Sequence, residues 1–206
     1  MYGFPGSGKS YVSRQLSETV QMAHVNADRI RNELFEHPRY DNQEDAIVVH
    51  LMNYIAEEFL SAGVSVAYDT NAMRLSQRRS LRELARRQRA ENLLIWLQID
   101  PDSAYARTQN RDRRTSDDKF AEPQTQGSYE RQLSAMQNPQ GEDYLVISGK
   151  HTFATQKAAI LNRFYQLGLT DSATVQSNTA APGLVNLVPN LHAGRVDMSR
   201  RNISVG

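Results

Sequence analysis

Gly3-Phe4-Pro5-Gly6-Ser7-Gly8-Lys9-Ser10 is the stretch on which the reading of this chain turns. It meets the pattern G-x-x-x-x-G-K-[ST] at every fixed position. The spacing has a physical cause: glycines let the backbone wrap an anion closely, with N–H groups turned inward. Val12, Leu16 and Val20 follow at helical spacing and predict a helix over 10–20. The positive end of that helix would face the same anion. The pattern assigns Gly3, Pro5, Gly6, Ser7, Gly8, Lys9, Ser10 and Tyr11 to a phosphate cradle. Lys9 would reach the β- and γ-phosphates of ATP, and the Ser10 hydroxyl would help hold Mg²⁺. The plainer alternative is a Gly-rich turn before a helix.

Outward from the loop, strand and helix signals alternate. Ile47, Leu51, Ile55 and Phe59 recur at four-residue steps and predict a helix over 44–62, with Gly63 as its C-terminal cap. A short strand, 64–68, ends at Asp69. Residues 76–90 read as a helix with Leu81, Leu84 and Ala85 inward and arginines outward. The apolar run 93–99, Trp96 included, reads as a buried strand, and Pro101 opens another helix. Residues 129–136 read as helical, 144–147 as a strand and 155–167 as a last helix. The alternation predicts an α/β, three-layer P-loop NTPase-type fold with a mainly parallel sheet. The phosphate loop should follow a buried strand of about five residues, yet only Met1 and Tyr2 precede Gly3. The first strand is therefore expected to be missing or severely truncated, as in a fragment of a longer reading frame or a chain with a misplaced start. Residues 1–168 are expected to form the domain. Residues 169–206, rich in Thr, Ser, Asn, Ala, Gly and Pro without sustained period, are expected to be a disordered C-terminal tail.

Composition narrows the setting. The formal net charge of +1 gives no global attraction to nucleic acid or membrane. Cysteine is absent, which excludes disulfides and thiolate metal sites and fits a reducing, cytoplasmic location. No apolar run reaches the roughly 18 residues that a membrane span needs, and no signal peptide is visible. His24, His37, His50, His151 and His192 lie scattered, without metal-ligand spacing.

Two aspartates and two groups of arginines complete the candidates. Asp69, followed by Thr70 and Asn71, lies at the carboxyl end of a strand, where ligands sit in open α/β sheets. Asp28 lies in Val25-Asn26-Ala27-Asp28-Arg29-Ile30-Arg31. It reads either as a first-turn or N-cap helix residue or as the carboxylate that accepts a hydroxyl proton. Arginines crowd 74–89, where a solvated helix face is the default reading. Arg107 and Arg111 stand one helical turn apart, with Arg113 and Arg114 beyond. They precede a polar stretch suited to a lid over phosphates.

The phosphate loop, VNADRIRNEL (25–34), YDTN (68–71) and ARTQNR (106–111) together resemble the P-loop kinases related to polynucleotide 5′-hydroxyl kinase. The resemblance spans about residues 1–165. It implies Lys9 and Ser10 serving ATP and Mg²⁺, and Asp28 as the base, with Arg31 on the acceptor side. It also implies Asp69 beside the metal and the acceptor, Thr70 and Asn71 near the acceptor, and Arg107 and Arg111 on the phosphates, with Lys9, Asp28 and Arg111 catalytic. Thr108 departs from the Asn of many relatives. The implied activity is transfer of the ATP γ-phosphate to a hydroxyl, first a nucleic-acid 5′-hydroxyl. The alternatives are a small-metabolite kinase (sugar, nucleoside or UDP-sugar) and a non-catalytic nucleotide-binding module. Residues 74–114 hold eleven arginines against five acids, which favours a nucleic acid, whereas the overall charge does not. Deleting 169–206 should move the thermal midpoint by no more than a few degrees, measured by differential scanning calorimetry, because little periodic apolar surface would be lost.

Overall fold

The computed structural model describes residues 1–112 and 119–170. The elements run α1 (Lys9–Val20), β1 (Ala23–Asn26), α2 (Ala27–Leu34), α3 (Asn42–Ser61), β2 (Val66–Asp69), α4 (Leu75–Arg87), β3 (Leu94–Gln98), α5 (Pro101–Gln109), α6 (Gln126–Ala135), β4 (Tyr144–Ser148) and α7 (Phe153–Gln166). The chain divides into two compact units, Met1–Gln156 and Lys157–Gly206. In the second, Ile160 and Leu161 of α7 are fully buried and the helix closes at Gly168, φ +69°. The tail expected from 169 onward lies outside the described residues from 171, as do Arg113 and Arg114.

In the first unit the strands form two parallel pairs. β1 joins β2 from Ala23↔Val66 to Asn26↔Asp69, and β3 joins β4 from Leu94↔Tyr144 to Gln98↔Ser148. Met1 and Tyr2 reach toward both pairs. Tyr2 forms an isolated parallel bridge to Trp96; its N–H donates to Ile95 O at 2.8 Å and its carbonyl accepts from Leu97 N at 2.9 Å. Met1 O accepts from Ala72 N, just past β2. The first strand is thus truncated to a bridge, as the sequence predicts. Tyr2 is fully buried, its ring edge-on to Trp96 and its hydroxyl donating to Asn138 Oδ1. Trp96 is half-buried between Tyr2 and Tyr144.

Helices α1 and α3 both pack on the β1–β2 pair. The core there is Val25, Val48 and Met52, with Ile30, Phe35, Ile55 and Tyr68 against it. Three expectations need correction. The buried stripe of α3 is Glu44, Val48, Met52 and Ala56. The stripe read from sequence lies beside it, and Ile47 is 50% exposed. Glu44 can occupy the core line because Arg39 N, Tyr40 N and Arg31 Nη1 all donate to its carboxylate. Tyr40 takes a left-handed backbone, φ +55°, to turn its N–H inward, at a cost of about 1–2 kcal/mol that these charge-assisted bonds offset. Second, β1 occupies a segment for which no strand was expected. Its four residues are too few to show a period. Third, Arg78 of α4 faces inward.

Arg78 is buried against the carboxylate of Glu142 at 2.7 Å, which also pairs with Arg82. Arg78 donates further to Ala72 O and Met73 O, so α4, the end of β2 and the approach to β4 are tied at one point. Removing one partner of a buried ion pair leaves an uncompensated charge. Glu142→Ala should therefore lose about 3 kcal/mol, read as a fall in thermal midpoint of roughly 6–12 °C.

Candidate active site

Gly8 caps α1 in a left-handed conformation, φ +98°, and offers the first turn no side-chain acceptor. The N–H groups of Lys9, Ser10 and Tyr11 are first-turn donors without a carbonyl four residues back. The helix opens on an uncapped positive end, the arrangement that binds anions. Two glycines are demanded by close approach. A Cβ on Gly6 would sit 2.1 Å from Ala104 O, and one on Gly3 would sit 2.5 Å from Leu97 O. Thr108 also presses on Gly6, with its hydroxyl bonded to Tyr105 O. The loop is therefore clamped between α5 and β3.

A cavity of about 960 Å³ opens over this loop, large enough for a nucleotide with a small second ligand. Pro5, Gly6, Ser7, Gly8, Lys9, Ser10 and Tyr11 line it, as do Asp28, Arg31, Asp69, Thr70, Asn71, Arg107 and Arg111. Gly3 does not. Its carbonyl, with that of Phe4, instead accepts from Lys9 Nζ, both at 2.9 Å. Burial lowers the Lys9 pKa to about 8, against the raising effect of Asp69 and Asp28.

Asp69 ends β2 and is 3% exposed. Its Oδ2 accepts from His24 Nε2 at 2.9 Å and from Asn26 Nδ2 at 2.5 Å, and its Oδ1 accepts from Ser10 Oγ at 3.3 Å. Burial opposes its charge, yet the bonds and charge from His24, with those from Asn26 and Ser10, hold its pKa below the usual carboxylate range. The result is an ionised carboxylate beside the hydroxyl of the phosphate loop. Among the described residues no three His, Cys or acidic side chains form a metal cluster. Mg²⁺ commonly takes one or two protein oxygens and draws the rest from phosphates and water. The hard-oxygen pair Ser10 and Asp69 Oδ1 fits that donor set.

Asp28 behaves oppositely. Asn26 is the N-cap of α2, accepting from Arg29 N at 2.7 Å, and Asp28 sits in the first turn. Its carboxylate makes no hydrogen bond among the described residues. Burial, then the charges of Asp69 and Glu122, push its pKa up to about 6, with Arg111 and Arg31 opposing. Arg31 is buried, donating to Glu44 at 3.1 Å and to Asp45, and it lies over the Tyr40 ring at 5.0 Å. Arg107 donates to Gly149 O and Arg111 to Glu122 O. Both Asn71 side-chain polar atoms are buried without a partner among the described residues.

His24 and Asn26 as Asp69 partners, and Glu122 and Gln156 on the cavity wall, were not among the expected site residues. Only proximity to a motif could have flagged His24 and Asn26. Glu122 and Gln156 carry no local signal.

A glycine loop at an uncapped helix start, beside a strand-end carboxylate, defines a P-loop nucleotide-binding site on an α/β fold. The AAA domain family matches residues 1–139, about two thirds of the chain, and the chain belongs to that family. A gluconokinase from Sinorhizobium meliloti 1021 shares the fold with TM-score 0.58 and 18% identity, covering 81% of this chain and 90% of its own. A sugar kinase from Janibacter sp. HTCC2649 does so with TM-score 0.55 and 15% identity, covering 84% and 94%. No curated protein matches. The architecture is that of a P-loop kinase.

The folded pKa of Asp28 lies above its ordinary 3.8. Its ionisation therefore opposes folding: stability present below pH 3.8 is lost as pH rises through about 6. Asp28→Asn should raise the thermal midpoint by a few degrees at pH 7.5 and by nothing at pH 3.5, measured by scanning calorimetry.

Proposed function

We propose that the chain transfers the γ-phosphate of ATP to a hydroxyl of a small polyhydroxylated metabolite of the sugar class. The observation that carries this reading is the pairing, in one cavity, of an unbonded carboxylate at Asp28 with the unpartnered amide of Asn71. A hydroxyl is both donor and acceptor. It can give its proton to Asp28, on the cavity lining that Asn71 shares.

The α1 start and Lys9 bind the phosphates, and Ser10 and Asp69 would hold Mg²⁺, which would supply positive charge beside them. Arg107 and Arg111 accompany the γ-phosphoryl group, and Arg31 and Thr70 shape the acceptor wall. The acceptor oxygen bonds to the γ-phosphorus as the bond to the bridging oxygen breaks. ADP departs, and the hydroxyl proton goes to Asp28. The transition state is loose, so positioning and charge supply most of the rate. A pKa near 6 keeps Asp28 ionised at neutral pH and basic enough to take that proton.

The nucleic-acid 5′-hydroxyl, first in the sequence reading, has less support. Four of the seven arginines at 74–89 are paired within the chain: Arg78 and Arg82 with Glu142, Arg86 with Glu83, and Arg87 with Glu57. The cavity wall carries Asp28, Asp45 and Glu122, which would repel the phosphates that flank a 5′ end. The two solved structures of similar fold bear the names of a gluconokinase and a sugar kinase, which agrees with the metabolite alternative.

The test is label transfer from γ-³²P-ATP with Mg²⁺ to a panel of sugars and polyols and to a 5′-hydroxyl oligonucleotide. The expected outcome is a labelled sugar or polyol and an unlabelled oligonucleotide. Lys9→Ala should abolish transfer, and Asp28→Asn should slow it by about 10²–10⁴-fold with ATP affinity near parental. Label on the oligonucleotide alone, or parental turnover in Lys9→Ala, would contradict the proposal.

A further inference from the structure

Asp69 takes its hydrogen bonds unevenly. β1 and β2 run parallel, with Asn26 opposite Asp69 in register. His24, two residues earlier, stands on the same face of the sheet. Both side chains reach the same oxygen: Oδ2 accepts from Asn26 Nδ2 at 2.5 Å and from His24 Nε2 at 2.9 Å. A carboxylate oxygen has two lone-pair directions, and on Oδ2 both are taken. Among the described residues, Oδ1 accepts from the Ser10 hydroxyl alone, at 3.3 Å. Asn26 is itself anchored, because its Oδ1 accepts from Arg29 N at 2.7 Å as the cap of α2. Its amide is thereby oriented with the N–H group toward Asp69.

That asymmetry bears on any cation beside Ser10 and Asp69. Ca²⁺ gathers about 6–8 oxygens and accepts a carboxylate through one oxygen or both. Mg²⁺ demands a smaller, near-octahedral set and draws much of it from water and phosphate. With Oδ2 engaged twice, Asp69 has one oxygen to present. Turning the carboxylate to present both would break the bonds from His24 and Asn26. Asp69 is only 3% exposed, so water is poorly placed to replace them. A single fixed oxygen suits the small octahedral ion and withholds from Ca²⁺ a ligand that it could use.

We infer that His24 and Asn26 are positioning residues that confine Asp69 to one metal-facing oxygen and thereby favour Mg²⁺ over Ca²⁺. The inference rests on the Mg²⁺ reading above and adds to it the means by which the ion is selected. The test is electron paramagnetic resonance of Mn²⁺ bound to the full chain with β,γ-imido-ATP and displaced by Mg²⁺ or by Ca²⁺, with the nucleotide alone as reference. The parent should raise the ratio of Mg²⁺ to Ca²⁺ affinity about tenfold or more above that of the nucleotide alone. His24→Leu and Asn26→Ser each remove one donor from Oδ2, and serine keeps a side-chain oxygen to cap α2. In each, Mg²⁺ affinity should fall by about 10–100-fold and Ca²⁺ affinity by less, so the ratio drops toward that of the nucleotide. His24→Gln keeps a donor and should retain most of the parent ratio, a distinction that a general loss of structure would not make. The parent measurement needs no variant, so it decides the matter even if the substituted chains do not fold. A parent ratio equal to that of the nucleotide, or an unchanged ratio in folded His24→Leu, would overturn the inference while leaving the metal site in place. Mn²⁺ held no more tightly by chain and nucleotide together than by the nucleotide alone would overturn the reading of Ser10 and Asp69 as metal ligands, and this inference with it.

Discussion

A negative charge held ionised at Asp69, almost out of reach of water, is the constraint around which the site is arranged. The carboxylate belongs to β2 but is bonded from β1 through His24 and Asn26, and from α1 through Ser10. Those contacts fix the start of α1 against the strand ends, and with it the phosphate loop. Burying a carboxylate costs several kcal/mol unless donors replace the lost water. Here three side chains do so, and the side facing Ser10 is the one suited to a cation.

The same charge shapes its neighbour. Asp28 receives no hydrogen bond among the described residues, and burial together with the charges of Asp69 and Glu122 raises its pKa, while Asp69 is lowered by its donors. Two carboxylates in one cavity, driven apart in acidity by environment alone, can take different parts in one reaction. The wall beside them is stiff for a related reason. Arg31 is held by Glu44 and Asp45, and Glu44 by the backbone of Arg39 and Tyr40. Arg31 thus lines the cavity while serving the fold.

Much of this arrangement was legible where a residue's role depends on near neighbours in sequence. The phosphate loop, the helix after it and the strand end at Asp69 all rest on local spacing. The strand-helix alternation likewise gives the α/β class. What escaped depended on distant partners. Arg78 read as a surface arginine because Glu142, which neutralises it, lies 64 residues away. The α3 stripe was misplaced by one residue because a glutamate in the core line looks polar until its donors are known. Gly3, read as part of the cradle, answers to the backbone of Leu97.

The division of roles in the site depends most directly on the opposed acidities of Asp28 and Asp69. Carbon-13 chemical shifts of the side-chain carboxyls, followed from pH 3 to pH 8 and assigned with Asp28→Asn and Asp69→Asn, measure both. The account predicts Asp28 titrating near pH 6 and Asp69 below the ordinary aspartate value of 3.8. Both groups titrating together near 3.8 would mean that neither is set apart by its surroundings, and would contradict the division of roles between them.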